Sequence, residues 1–265
     1  MNKTKIEWAD RTWNPVTGCR HACEYCYARR IAERFGGGGT GLLLEAARIA
    51  EGSIELEKPV MREQKSGKIV KAAFPYGFIP TFHRYRLNEP AMEVDPQTIF
   101  VVSMGDLFGD WVHTTWIMEV FQACLEAPWH TYMFLTKNPH RYAILDEMEL
   151  LPHRDNFWYG TTVTGPNDTW RALEMPRGVH TFWSVEPMMG PVLFTLLPDY
   201  VIVGAETGNR KDKVTPEREW VEALSMFAKT TNTPVLWKDN IRKLYPELPE
   251  SAPMPGKGVC GEIPN

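Results

Sequence analysis

Three cysteines fall within one short stretch, Cys19-Arg20-His21-Ala22-Cys23-Glu24-Tyr25-Cys26, spaced C-x3-C-x2-C. Thiolates are soft ligands, and that spacing suits a metal site more than a set of disulfides. A loop carrying three thiolates can hold three irons of a [4Fe–4S] cube and leave the fourth iron open. Zinc is the alternative, with His21 inside the triplet, or Cys124 or Cys260 far along the chain, as a fourth ligand.

The elements that must position such a loop are read from hydrophobic periodicity. Short β-branched and aromatic runs at residues 12–16, 80–83, 98–104, 131–136, 157–163, 180–185, 200–204 and 233–237 predict eight strands. Helical patterns at 26–35, 111–127, 139–150, 168–175 and 216–230 alternate with them, the last opening on a Thr-Pro cap. Runs such as Ile99-Phe100-Val101-Val102 are apolar without alternation, as in parallel strands covered on both faces. The expected fold is therefore α/β, a full or partial (β/α) TIM-like barrel of parallel strands in a single domain over 1–265. An insertion after the first helix is expected at about 36–77, with a helical pattern at 42–50 and a charged segment at 55–71. The Pro-rich tail at about 245–265 should run extended.

The strand ends carry polar groups: Ser103 and Asp106, then Thr136 and Lys137, then Thr162 and Thr164, then Glu186, Glu206 and Lys238 in turn. In a parallel sheet the C-terminal strand ends share one side, so these residues should face one site. Carboxylates at adjacent strand ends can orient a substrate, accept a proton or pair with Lys238. Trp8, Asp10, Trp13 and Asn14 precede the cysteine loop and either pack beneath it or line the pocket.

With Tyr25 at the aromatic place of C-x3-C-x-aromatic-C, the triplet resembles that of the radical S-adenosylmethionine superfamily. The resemblance implies a [4Fe–4S] cluster on Cys19, Cys23 and Cys26 that takes an electron from an external donor. The cluster then cleaves S-adenosylmethionine to a 5′-deoxyadenosyl radical, which abstracts hydrogen from substrate. The order of strand-end turns looks like the spore photoproduct lyase branch. By that likeness Ser103 and Asp106 would meet the methionyl ammonium, Lys137 its carboxylate, and Thr162 or Thr164 the ribose; Tyr25, from the cysteine motif, would lie beside the cofactor, and the strand-end groups Glu186, Glu206 and Lys238 toward the substrate. A phage-associated radical S-adenosylmethionine-like family is closer still. It shares the Lys-Ile-Glu-Trp-x-Asp-x-Thr-Trp-Asn-Pro-x-x-Gly-Cys opening matched at 5–19, Gly-Asp-Leu-Phe at 105–108, Leu-Thr-Lys at 135–137 and Glu-Pro at 186–187. The seventh and eighth turns, at 205–208 and 238–240, depart from its pattern.

Composition bounds the partners. Of 265 residues, 29 are basic and 33 acidic, a formal charge of -4, which excludes a histone-like polycation. Basic residues gather at 83–86, 65–71 and 210–213, a footprint either for a nucleotide or nucleic acid or for a solvated face. The substrate stays open among a nucleoside, a base in DNA and a small metabolite. Without an apolar leader or a membrane-spanning run, no membrane partner and a cytoplasmic location are expected. Two rival readings use the same residues: a metal-dependent barrel hydrolase on Asp106, Glu186, Glu206 and a histidine, and a zinc-knuckle nucleic-acid-binding module without catalysis.

Overall fold

A computed structural model describes residues 1–36, 54–64, 66–193 and 196–254. Its strands are β1 Asn2–Lys3, β2 Arg11–Trp13, β3 Val16–Thr17, β4 Ile54–Leu56, β5 Met61–Glu63, β6 Ile69–Lys71, β7 Thr81–His83, β8 Thr98–Val101, β9 Thr131–Thr136, β10 Phe157–Thr162, β11 His180–Val185, β12 Tyr200–Val203 and β13 Val235–Trp237. The helices are α1 Tyr27–Phe35, α2 Thr114–Leu125, α3 His140–Glu147, α4 Arg218–Thr231 and α5 Asp239–Arg242, with 3-10 turns at Arg84–Arg86 and Pro166–Glu174.

One eight-stranded sheet runs β1-β2-β8-β9-β10-β11-β12-β13. From β2 to β13 every neighbouring pair is parallel, and only the two-residue β1 is antiparallel. The non-alternating apolar runs follow from burial on both faces. Ile99, Val101, Tyr132, Phe134, Phe157 and Tyr159 join Phe121 and Trp116 of α2 in one core cluster, while Phe100, Met133, Phe182, Ile202 and Leu236 pack with Trp8 and Met254 in another. Helix α2 presents Ile117, Val120, Phe121 and Cys124 to the core at helical spacing, and α4 presents Val221, Leu224 and Ala228.

The expected barrel is corrected by this topology. The sheet is open, and among the described residues no pairing joins its two ends. Nor is there a ring of helices: the β11–β12 connection carries Pro187, Gly190, Pro191 and Pro198 and holds no helix among its described residues, and the β10–β11 connection is the 3-10 turn that opens on Pro166. The last strand is covered by the tail, where Ala252 N–H donates to Val235 O at 2.8 Å and Ser251 Oγ bridges the Trp237 backbone. An edge paired in this way has no need of closure.

Three smaller differences accompany it. The run at 80–83 becomes β7 of a separate sheet, β3-β7-β4, antiparallel to β3 and parallel to β4. The charged segment at 55–71 forms β4 and the β5–β6 hairpin. Helix α4 starts at Arg218 behind Glu217, without a side-chain cap. The helical pattern at 42–50 and Cys260 lie outside the described residues, as does the tail beyond 254; its part from 245 to 254 has no helix or strand. Among the described residues no helix is long and apolar enough to cross a membrane.

Candidate functional site

The cysteine loop docks on the C-terminal end of β8 because two glycines let the backbones touch. Gly18, at φ +89°, bridges Gly105, and its N–H donates to Met104 O at 2.9 Å. A Cβ at Gly18 would stand 2.4 Å from Ile79 O, and one at Gly105 would stand 2.8 Å from Gly18 O. Only glycine fits either place. Beyond Gly18, Cys19 Sγ accepts the His21 N–H at 3.5 Å. Cys26 caps α1, its Sγ accepting the Arg29 N–H at 3.3 Å, which puts that sulfur at the positive end of a helix.

All three cysteines of the loop are free and half-buried, and they line one cavity of about 340 Å³. Burial pushes the Cys19 thiol up to about 12, and the neighbouring Asp106 charge adds to the shift. Tyr25 lies on the same wall; burial raises its phenol too, with the Cys23 charge second.

Asp106 is the hub behind this wall. Its buried carboxylate accepts from His21 Nε2 at 2.8 Å, Thr136 Oγ1 at 2.7 Å, the Lys137 N–H at 3.0 Å and the Phe108 N–H at 3.0 Å. Burial opposes ionisation, but the His21 bond and charge with the Lys137 and Thr136 bonds outweigh it and hold the carboxyl below its usual range. The loop and the ends of β8 and β9 are thus pinned to one group. Ser103 Oγ donates to Asn14 Oδ1 at 3.2 Å, which also accepts the Met104 N–H at 2.8 Å. Lys137 Nζ reaches Thr162 Oγ1 at 3.2 Å and sits 5.6 Å from the Tyr25 ring centroid; among the described residues it forms no ion pair.

On the far wall the charges are compensated. Glu186 accepts from Lys238 Nζ at 2.5 Å, Trp8 Nε1 at 3.1 Å and Ser184 Oγ at 3.3 Å. Burial works against the Lys238 ammonium, yet the Glu186 charge and hydrogen bond leave its pKa raised. Glu206, buried at the end of β12, takes both arms of Arg210 at 2.8 Å and the Val214 N–H at 3.3 Å, and the Arg210 bond leads in lowering its pKa.

Every expected site residue except Thr164 lines the cavity: Cys19, Cys23, Tyr25, Cys26, Ser103, Asp106, Lys137, Thr162, Glu186, Glu206 and Lys238. Thr164 instead donates its hydroxyl to Asp168 Oδ2 at 2.6 Å in the following turn. Sequence reasoning missed Arg210 as the partner of Glu206 and His21 as the partner of Asp106. An (i, i+4) acid–base pair could have signalled the first; no local signal marks the second. Trp8 lines the cavity, and its ring packs on Phe100 of β8 with centroids 4.3 Å apart.

Within the basic run at 83–86, two residues are committed to neighbours in the protein. His83 is buried against Thr17, and Arg84 is shared by Glu55, Glu57 and Glu119. Among the described residues no three His, Cys, Asp or Glu side chains are grouped to hold one metal ion. No curated protein and no solved structure matches the chain. Over residues 3–242 it matches the family described as protein of unknown function (DUF5131), and it belongs to that family.

Proposed function

We propose that this chain is a radical S-adenosylmethionine enzyme of a reducing, cytoplasmic compartment, acting on a substrate such as a nucleoside or nucleic-acid base. One observation carries the reading: the three cysteines share a cavity with an ammonium, Lys137, that has no carboxylate partner among the described residues. The donor set fits the cofactor. A cube takes its thiolates one per iron, so three sulfurs along one wall suit it without converging on a point, and backbone N–H groups already point at two of them.

When bound there, a [4Fe–4S] cluster with an open iron supplies one electron, delivered by an external reductant, to cleave S-adenosylmethionine and free a 5′-deoxyadenosyl radical that abstracts hydrogen. Lys137 pairs with the methionyl carboxylate, its position fixed by Thr162 and the Tyr25 ring. The Asp106 oxygens already serve four donors, so this carboxylate positions Lys137 and the cysteine loop. Glu186 with Lys238 offers an acceptor and donors at the substrate end, and Trp8, Phe100 and Leu135 exclude water.

The test is anaerobic reconstitution with iron and sulfide, reduction, and addition of S-adenosylmethionine. We expect a brown protein with a cluster signal in electron paramagnetic resonance and 5′-deoxyadenosine by mass spectrometry. Cys19→Ala, Cys23→Ala or Cys26→Ala should abolish all three, whereas Cys124→Ala and Cys260→Ala should not. An intact cluster that neither binds nor cleaves S-adenosylmethionine, or one zinc per chain in place of iron, overturns the reading.

A further inference from the structure

A second cavity, of about 240 Å³, is linked to the first through one hydrogen bond. Asn14 and Met104 line it, and Asn14 Oδ1 is the atom that holds Ser103 Oγ, on the wall of the first cavity, and Met104 N. Into this second space come Lys71 from the end of β6 and Arg86 from the 3-10 turn, members of the basic runs at 65–71 and 83–86.

Neighbouring cations in those runs differ in how they are used. Arg84, two residues from Arg86, is saturated by three glutamates. Arg86 is held just as firmly but by neutral groups: Nη1 donates to Asn14 O at 2.9 Å, the guanidinium lies 5.4 Å over the Tyr85 ring centroid, and its own carbonyl accepts from Trp13 Nε1 at 2.8 Å. Among the described residues neither Arg86 nor Lys71 forms an ion pair, while Glu89 on the same wall is already paired with the Met1 amino group at 2.5 Å. Two positive charges are therefore left uncompensated at a polar hollow, with Thr12, Asn14 and Tyr85 as neutral hydrogen-bonding neighbours.

We propose that this cavity binds the phosphate group of a small phosphorylated ligand. A pre-positioned guanidinium with spare N–H donors matches the tetrahedral oxygens of a phosphate, and a flexible lysine opposite supplies the second charge. The hollow is small, which favours a free small molecule over a polymer strand. The site needs no cluster and stands whether or not the first cavity performs radical chemistry.

Calorimetric titration of the whole chain with inorganic phosphate and with pyrophosphate, at low and at physiological salt, tests it. One saturable site is expected, tighter for pyrophosphate and weakened by salt. Arg86→Met should weaken binding by about tenfold or more, and Arg86→Lys should not restore it because the fork is lost. Lys71 is exposed, so Lys71→Met leaves the fold intact and should still weaken binding several-fold. Absence of saturable binding, or equal affinity in the Arg86 and Lys71 variants, overturns the proposal. So does Arg86-dependent binding of a ten-nucleotide oligothymidylate by a chain that ignores pyrophosphate, since the ligand would then be a strand.

Discussion

The two walls of the main cavity handle charge in opposite ways. At the ends of β11, β12 and β13, Glu186 meets Lys238 and Glu206 meets Arg210, so each ionised group has its counter-charge within the protein. At the end of β9, Lys137 has a hydroxyl and an aromatic ring but no carboxylate partner, although Asp106 takes the backbone N–H of the same residue. A charge satisfied internally supports the fold, whereas one held in place without a counter-ion is poised for a ligand. The difference separates the compensated part of this site from the part held ready for an anionic group more sharply than residue type does.

Asp106 should give the largest effect, because it ties the cysteine loop to the ends of β8 and β9. Asp106→Ala strips the acceptor from four donors and should cost about 3–5 kcal/mol, the range for breaking a buried charged network. Urea unfolding measures it; a loss under about 1 kcal/mol would mean water replaces the carboxylate, and the hub is not one. Asp106→Asn adds a pH signature. Because the folded carboxyl titrates below its ordinary value, its contribution is present above about pH 4, the unfolded value, and is lost as pH falls through the folded value. The stability gap between wild type and Asp106→Asn should therefore be wide at neutral pH and close in acid.

The Glu186–Lys238 pair comes next. A double-mutant cycle of Glu186→Gln and Lys238→Met should give a coupling energy within about 0.5–3 kcal/mol, as for residues in direct contact. The same cycle between Glu186→Gln and Lys137→Met should be additive to within about 0.5 kcal/mol. Coupling in the second cycle as large as in the first would erase the distinction between the walls.

Much of this site was legible in the sequence, for a definite reason. Apolar runs ending in polar turns mark parallel strands and their C-terminal ends, and parallel strands put those ends on one side; hence Ser103, Asp106, Lys137, Glu186, Glu206 and Lys238 were expected together and are. Partner choice was not legible. Local pattern places Glu206 and Lys238 at strand ends but does not tell that Arg210, four residues on, captures the first while Glu186 captures the second. Likewise His21 and Asp106 stand 85 residues apart, and nothing local connects them. Closure of the sheet was not legible, because alternation of strands and helices and non-alternating apolar runs suit an open parallel sheet as well as a barrel. The run at 80–83 has strand composition, but its pairing with Val16 and Thr17 takes it into another sheet. The prolines between β11 and β12 disfavour a helix there, and no helical pattern was read in that stretch.

The smallest effect on stability is the most informative about function. Lys137 gains only a hydroxyl contact and a ring contact from the fold and remains partly desolvated, so Lys137→Met should change unfolding free energy by no more than about 0.5 kcal/mol. Its backbone N–H survives the substitution, so the bond to Asp106, and through it the cysteine loop, stays in place. Under the proposed function the same variant keeps its iron and sulfide yet binds S-adenosylmethionine about tenfold or more weakly, the size of a lost charge-assisted contact. Equilibrium binding to the reconstituted protein, read beside its iron content, separates the outcomes. Unchanged affinity would remove Lys137 from the binding wall; a destabilisation matching that of Lys238→Met would show that its charge supports the fold after all, and the contrast between the walls would fail.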